Sequence, residues 1–332
     1  MAFDNIKLEK GLYTTGKSFT KALEEIDPSE NYRGTSLEGL DAYERQLKRF
    51  DIKVSGSNSD PVSKFFATTD SAALFPEYVS RAVQLGMTSE NKVERIVATT
   101  TEIDSMDYRS ISTGNVTADF ALSEVEEGET LPELTIKLNS NLTKLKKHGK
   151  MLVSSYEAIK FQKLDLFTAV LKQIGTYIAN SEFEQALEVI ANADNIRNLT
   201  LQTGTLGFAD IVNAWATFAP YRMTSLVVNP NSLAKLLLME EFRDSYAGMD
   251  AHATGNMITP FGAELFSTGV LPQNVVLAFD KNCTVEKVQA GGVITEFDKL
   301  IDRQLERATI STIVGFSTIY GNAASLLKPT GD

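Results

Sequence analysis

Few residues in this sequence have side chains suited to catalysis or metal binding. Its 332 residues include one cysteine, Cys283, and two histidines, His148 and His252. Cys283 lies in an alternating run typical of a strand, where a free cysteine is usually a small buried apolar side chain. His148 stands among lysines as a solvated surface residue, and His252 lies in a polar stretch without a companion. These residues predict neither a nucleophile nor a multi-cysteine zinc site.

The sequence contains two clusters of like charge, and the first is acidic. Its carboxylates belong to the segment EVEEGETLPE and are Glu124, Glu126, Glu127, Glu129 and Glu133. Metal sites and glycosidases need carboxylates that a cleft holds rigidly. Gly128 and Pro132 are turn residues, which place these acids at an exposed hairpin tip. The preferred interpretation is therefore a solvated charge cluster.

A basic cluster follows in the segment KLKKHGK. Its lysines are Lys144, Lys146, Lys147 and Lys150. The segment is short and lacks the interleaved aromatic residues of a single-strand nucleic-acid surface. Because complementary patches fix the register between subunits, the opposite signs of the two clusters predict a contact between copies of the chain. We expect Glu126, Glu127 and Glu129 of one copy to face Lys144, Lys146 and Lys147 of the next.

Three signature motifs of enzymes are absent from the sequence. No GxGxxG, GxSxG or HExxH pattern occurs in the sequence. These patterns supply dinucleotide binding, a serine nucleophile and a zinc site, respectively. We therefore predict no catalytic residue, no metal site and no cofactor. A structural role is favoured over an enzyme.

Composition and charge indicate which classes of binding partner the chain is suited to. The chain is 43% hydrophobic and carries a net charge of −11. The hydrophobic content is ordinary for a globular protein, and the acidic balance disfavours general nucleic-acid binding because phosphates attract clustered Lys and Arg. No apolar run approaches the roughly 20 residues of a membrane span, and the start lacks a signal-peptide core. We expect no membrane association and folding in a cytoplasm.

The stretch from Ser154 to Asp194 is the element around which the chain is organised. Ser154 and Glu157 have the spacing of a capping box, which predicts that a helix begins there. An apolar stripe at helical spacing then predicts a buried face, made by Leu164, Phe167, Leu171, Ile174 and Ile178. After Ile178 the stripe slips by one position, which indicates a bend or a change of packing partner. We expect the stripe to pack against the C-terminal strands.

A long β-hairpin precedes this helix. Leu134, Ile136 and Leu138 alternate with polar residues, and Phe120 and Leu122 do so on the other side of the acidic turn. This period of two is typical of half-buried strands. A lone two-stranded ribbon is marginally stable in water, so we expect it to lie on its own domain or on the next subunit.

The two ends of the chain differ in character. At the start, helices are predicted over 18–26 and 36–50, followed by a flexible connector over 54–63. This N-terminal region is either a helical extension or an arm that contacts a neighbouring subunit. Beyond the long helix, helix, strand and helix in succession predict an α/β layer, and strand-rich sequence follows.

The order of these parts resembles the major capsid proteins of tailed bacteriophages. The resemblance rests on LVSSYEAI at the entry to the long helix, on SLVVNPNSLAKLLLMEEFRD and on FGAELFSTGVLPQNVVLAFDKN. It covers most of 66–328 and implies the Hong Kong 97-type capsid fold, of the α+β class. That fold has an N-terminal arm, an extended β-hairpin loop, a peripheral domain with a long spine helix, and an axial α/β domain.

The resemblance also implies domain boundaries. They are 1–65 for the N-terminal arm or helical extension, 66–104 for the start of the peripheral domain, 105–150 for the extended loop, 151–194 for the spine helix of the peripheral domain, 195–285 for the axial domain and 286–332 for a β-rich return to the axial or peripheral domain. The extended loop is expected to lie over an adjacent subunit.

What the resemblance implies about partners is a shell built from one chain. Hexamers and pentamers close icosahedrally around double-stranded DNA that is packaged without sequence-specific binding. Portal and scaffold proteins are possible partners. The protein is expected in the virion, after synthesis and assembly in the host bacterial cytoplasm.

Two alternatives stay open. An encapsulin-like nanocompartment has the same fold and encloses a cargo enzyme instead of a genome. A soluble enzyme or binding domain with an unrecognised site is the other alternative.

One departure from the family pattern yields a prediction. Some family members lock their shells by an isopeptide bond from a lysine near the tip of the extended loop, whereas the segment EVEEGETLPE has no lysine. We expect no such crosslink. Particles boiled in detergent should release a single species at 36.4 kDa. A ladder of heavier species on the gel would refute this expectation.

Overall fold

The structure is a computed structural model. It describes 2–8, 10–13, 18–90, 92–105, 107–113, 124–125, 127–128, 136–139, 141–155, 161–202, 204–243, 259, 261–300 and 305–329.

The described helices are α1 (Phe19–Ile26), α2 (Ala42–Arg49), α3 (Thr69–Ala72), α4 (Phe75–Glu90), α5 (Leu164–Ala191), α6 (Phe208–Ala216), α7 (Pro230–Leu237) and α8 (Glu240–Arg243). Short 3-10 helices span Ala2–Asn5, Lys10–Tyr13, Ser29–Tyr32, Val62–Ala67 and Gly321–Ala323.

The described strands are β1 (Thr99–Ile103), β2 (Ile111–Thr113), β3 (Ile136–Leu138), β4 (Leu145–Ser155), β5 (Arg197–Thr200), β6 (Ser225–Val228), β7 (Glu264–Ser267), β8 (Val276–Phe279), β9 (Val285–Ala290), β10 (Ile294–Leu300), β11 (Leu305–Thr318) and β12 (Ala324–Lys328). One sheet has the order β1-β9-β11-β10 with β4 also paired to β11, a second has the order β5-β12-β8-β6-β7, and β2 pairs with β3.

The chain forms two compact units. The first comprises 1–91, 147–179 and 292–312, and the second comprises 92–146, 180–291 and 313–332. Both α5 and β11 contribute one part to each unit. These divisions differ from the boundaries expected from the sequence, because a continuous helix and a continuous strand each change packing partner along their length.

The first unit is built around the start of α5. Leu164, Leu171 and Ile178 are buried there, and Phe167 and Ile174 pack against them at partial burial. Their neighbours come mainly from the N-terminal region, including Phe19 and Leu23 of α1, Tyr43 and Leu47 of α2, Val62, Phe65, and Val79 and Val83 of α4. Ile310 of β11 also joins this cluster. The expected packing of the stripe against the C-terminal strands is thus found at Ile310, whereas the cover from the N-terminal region was not expected. Periodicity shows which face is buried but not what buries it.

The start of α5 is held by the segment that was predicted to be a flexible connector. The Leu164 N–H donates to the Asp60 carbonyl at 2.8 Å, and the Val62 N–H donates to the Gln162 carbonyl at 2.9 Å. The Lys163 ammonium donates to the Ser57 carbonyl at 2.9 Å. Backbone groups that a helix end leaves unpaired are thus satisfied by the connector. Its Gly/Ser-rich composition did not reveal these contacts.

The predicted capping box at the start of the long helix was wrong. Ser154 lies in β4, and Glu157 falls outside the described residues. The helix begins at Leu164 and has 28 residues, a length of about 42 Å at ~1.5 Å per residue. A capping box is a local pattern of only four residues, and the pairing of β4 with β11 decides the structure at Ser154 instead.

Two glycines let α4 and α5 approach closely. A Cβ at Gly86 would lie 2.0 Å from the Lys172 carbonyl oxygen, and one at Gly175 would lie 2.1 Å from the Val83 carbonyl oxygen. Each helix thus presents backbone to the other where any side chain would push them apart.

Gly175→Ala should therefore lower stability. A glycine-to-alanine change inside a helix ordinarily stabilises it by up to ~1 kcal/mol. Here the clash with Val83 should reverse the sign and cost about 1–3 kcal/mol, as overpacking does. Thermal unfolding followed by circular dichroism measures the effect. Gly292→Ala is the control, because a Cβ added there would have no neighbouring atom within 4 Å. An unchanged or higher melting temperature for Gly175→Ala would contradict the close packing.

The lysine-rich segment belongs to a sheet. β4 pairs with β11, and Gly149 and Gly315 allow the approach, since a Cβ at either would meet a carbonyl oxygen of the facing segment within 2.7 Å. The extended loop was expected to run to residue 150. Within that range, β4 begins at Leu145 and pairs with β11.

The second unit has two apolar clusters. In one, Phe183, Leu187 and Ile190 of α5 pack with Val285 of β9 and with residues of β8 and β11. The slip after Ile178 therefore marks a change of packing partner. In the other cluster, helices α6 and α7 cover the second sheet, whose strands β6 and β8 are fully buried. This is the predicted α/β layer, and β12 from the end of the chain joins its sheet.

Candidate assembly surfaces

The charged clusters predicted to meet between subunits are exposed where the structure describes them. Lys144 precedes β4, and Lys146 and Lys147 lie on it with exposed side chains. Glu127 is exposed in a turn, whereas Glu126 and Glu129 fall outside the described residues. Among the described residues, no ion pair joins these lysines to an acid of the same chain. Their intersubunit contact stays a prediction.

The base of the extended loop is a two-stranded antiparallel ribbon. β2 and β3 pair with Ile111 opposite Leu138. Both side chains are exposed, at 46% and 68%, and Leu142 just beyond is 49% exposed. Opposed residues of an antiparallel pair share one face, so the described part of the ribbon has an exposed apolar side. Phe120, Leu122 and Leu134, expected further along the hairpin, lie outside the described residues.

A buried carboxylate fixes the loop at its root. Glu286 of β9 accepts hydrogen bonds from the hydroxyls of Thr101 at 2.5 Å, Tyr108 at 2.7 Å and Ser110 at 2.5 Å. Burial, the hydrogen bond to Glu286 and its charge raise the pKa of Tyr108, so the phenol stays a donor at neutral pH. Sequence reasoning missed Glu286, because nothing near it in the chain marks it as a partner of residues some 180 positions earlier.

The long helix has an unusual outer face. Its core face is the stripe Leu164, Phe167, Leu171, Ile174 and Ile178, and its outer face carries Leu166, Val170 and Tyr177 at 56%, 45% and 68% exposure. A surface helix normally presents charged residues on this side, and a helix that is apolar all round is normally covered. The outer face was not singled out from the sequence, although the same period of 3.6 would have shown it.

His148 and Cys283, the described members of the sequence's small set of histidines and cysteine, do not form a site with each other. His148 is half-buried in β4, and His252 falls outside the described residues. Burial raises the pKa of Cys283 to about 12, and the charge of Asp280 adds to the shift. The thiol is therefore protonated at neutral pH and a poor nucleophile. Within the part of the chain that the structure describes, no group of three or more His, Cys, Asp and Glu could hold a metal ion.

One nucleotide-binding pattern was overlooked in the sequence. Residues 11–18, GLYTTGKS, match GxxxxGK[ST]. In phosphate-binding loops this pattern follows a strand and opens a helix. Here Lys10–Tyr13 is a 3-10 helix, and the Tyr13 hydroxyl donates to the Ala73 carbonyl at 2.7 Å. Ser18 is the N-cap of α1, where its hydroxyl accepts from the Lys21 N–H. Residues 14–17 of the pattern lie outside the described residues, and the described residues 2–8 before it contain no strand, so we assign no function to the match.

None of the helices in the described ranges is both long and apolar enough to cross a bilayer.

Comparison with known structures shows the fold. A virus-like particle from Pyrococcus furiosus is similar with a TM-score of 0.51 and 14% identity, over 76% of this chain and 98% of that one. The capsid of an empty GTA particle is similar with a TM-score of 0.53 and 13% identity, over 71% of this chain and 88% of that one. The capsid of cyanophage P-SCSP1u is similar with a TM-score of 0.51 and 15% identity, over 72% of this chain and 88% of that one. The chain therefore has the Hong Kong 97-type capsid fold that its sequence resembled. No curated protein matches the sequence.

Comparison with family models shows the family. The family described as phage capsid protein matches residues 139–316, which is more than half of the chain. This range runs from the end of β3 to the last residues of β11 and so includes the long helix and most of the second unit. The chain belongs to the phage capsid protein family, and it is a structural component of a capsid shell.

Proposed function

We propose that this chain is the major subunit of an icosahedral shell, in which hexamers and pentamers enclose double-stranded DNA. The observation that carries the proposal is the pair of uncovered apolar surfaces. The β2–β3 ribbon exposes Ile111 and Leu138, and the outer face of α5 exposes Leu166, Val170 and Tyr177. Apolar faces of this kind on a monomer mark surfaces that association covers.

The extended loop is the element that reaches a neighbour. Its ribbon is too small to be stable alone in water, while the Glu286 hydrogen bonds hold its root firmly on the sheet. If the apolar side of the ribbon lies on the outer face of α5 in an adjacent copy, both of these exposed surfaces are removed from water. Closed symmetry then follows from one chain type that repeats the same contact.

The charge of the chain fits a DNA container. A net charge of −11 gives a wall that holds packaged DNA without binding it tightly or by sequence. Assembly takes place in the host bacterial cytoplasm, with a portal and a scaffold as further partners. The particle's contents distinguish this function from a cargo-enclosing compartment.

Nuclease protection tests the enclosed DNA. Particles purified from the producing host are treated with nuclease, opened by heat and analysed for nucleic acid. Double-stranded DNA of uniform length, recovered only after opening, is the expected result. Particles that yield a cargo protein and no DNA would overturn the proposed contents while leaving the shell itself intact.

Charge reversal tests the proposed contact of the basic cluster. Lys146→Glu together with Lys147→Glu should leave the fold unchanged, because both side chains are exposed. Assembly should fall by tenfold or more, since like charges that face each other across an interface repel. Sedimentation of particles measures it. Lys21→Glu with Lys235→Glu makes the same change of charge at exposed positions elsewhere. Normal assembly of the Lys146/Lys147 variant would rule out the contact.

A further inference from the structure

We propose that residues 18–65, here called the N-terminal segment, are a permanent supporting part of the shell subunit that folds with the long helix. In this role the segment is neither a removable scaffold piece nor a free arm. The statement about the shell rests on the proposed function, whereas the supporting role concerns the single chain. Nothing in the family match assigns a role to this region, because the match begins at residue 139.

The first observation is the depth at which the segment is buried. Leu23 and Val62 are 0% exposed, Phe19 and Tyr43 are 2% exposed, and Phe65 is 0% exposed. All of them belong to the cluster that contains Leu164, Leu171 and Ile178. Without the segment, the cluster on the core face of α5 would lose these five side chains and keep only the contributions of 6–8, 73–83 and Ile310 among its buried residues outside α5.

The second observation is the set of hydrogen bonds at the start of α5. The connector supplies the carbonyls of Asp60 and Ser57 to Leu164 and Lys163. In return, the Gly56 N–H donates to the Asp165 carboxylate at 3.1 Å. A bridge also pairs Pro61 with Lys163. The segment therefore determines where the long helix begins as well as what covers it.

The third observation is a polar cluster that ties the segment to α4. The Arg81 guanidinium donates to the Asp41 carboxylate at 2.6 Å, to Glu77 at 3.1 Å and to the Thr20 hydroxyl at 2.8 Å. The Thr20 hydroxyl in turn donates to Glu77 at 2.6 Å. Arg81 also stacks over the Tyr43 ring at 4.4 Å. Such a shared set of charges and donors joins α1, α2 and α4 into one body.

A removable piece has the opposite properties. A scaffold or arm that leaves, or that reaches another subunit, is joined to the body by few buried contacts across its boundary. Here the boundary at residues 54–65 is tied to the start of α5 by the hydrogen bonds of Asp60, Ser57 and Gly56. Removal of the segment would expose the core and free the helix start.

Hydrogen exchange followed by mass spectrometry on the full-length chain tests the proposal. The protection factors of the amides in α1 and α2 should lie within about tenfold of those in 164–178. Leu23→Ala opens the core under α5 and should speed exchange in 164–178 at least tenfold. Lys21→Ala, an exposed change on the same helix, should leave it unchanged.

Each outcome decides the proposal. Exchange of α1 and α2 within seconds would overturn it, as would a Leu23→Ala chain whose long helix stays fully protected. Particles whose chain has lost the segment, judged by intact mass against 36.4 kDa, would overturn its permanence. Because exchange is measured on unassembled chain, a failure to form shells would refute the proposed function and leave this result standing.

Discussion

Leu171→Asp is expected to abolish folding of the chain. Leu171 is 0% exposed at the centre of the core face of α5. Aspartate there buries an unpaired charge and removes a large apolar side chain, and each change costs several kcal/mol. The combined cost is comparable to the whole stability of a typical domain, about 5–15 kcal/mol. Soluble yield and far-ultraviolet circular dichroism measure the outcome.

The neighbouring residue supplies a matched control. Val170 is 45% exposed on the outer face, so Val170→Asp introduces the same charge one position earlier without burying it in the monomer. This variant should remain soluble and helical and should lose assembly, if the outer face is covered by another copy. A soluble, assembling Leu171→Asp protein would show that the core face of the helix has been assigned wrongly.

Arg45→Met is expected to destabilise the chain by about 3–5 kcal/mol, the usual cost of removing one partner of a buried ion pair. The Arg45 side chain is fully buried and donates to the Asp27 carboxylate at 3.0 Å. It also donates to Ser29 and to the carbonyl of Leu40, and stacks over the Tyr32 ring at 4.4 Å. Methionine fills similar space but leaves Asp27, 1% exposed, without its counter-charge.

A second substitution separates charge from packing. In Arg45→Met combined with Asp27→Leu, both charges are absent, and much of the lost stability should return. Lys48→Met on the same helix is exposed and should change the urea midpoint very little. If Arg45→Met unfolds at the midpoint of the unchanged protein, the buried pair contributes nothing and this account of the N-terminal core is wrong.

The sequence predicted the buried faces of secondary-structure elements better than it predicted which segments pack against those faces. Periodicity located the core face of α5, since Leu164, Leu171 and Ile178 are buried and the slip after Ile178 coincides with a change of cluster. It did not reveal that the N-terminal helices provide the cover. The spacing of apolar residues shows on which side of a helix they lie. It does not show which distant segment packs against that side.

The candidate surfaces were only partly foreseeable for the same reason. The lysines of 144–150 were visible as a cluster, but their place on a strand paired with β11 depends on contacts across some 160 residues. The three hydroxyl donors of Glu286 are likewise far from it in sequence. Composition also misled at 54–63, where glycine and serine suggested flexibility and backbone hydrogen bonds to α5 hold the segment instead.

Cryo-electron microscopy of the purified full-length protein tests the central claim most directly. We expect closed shells of icosahedral symmetry whose subunits place the β2–β3 ribbon of one copy on an adjacent copy. A chain that stays a monodisperse monomer of 36.4 kDa at high concentration, with neither shells nor capsomers, would contradict the account.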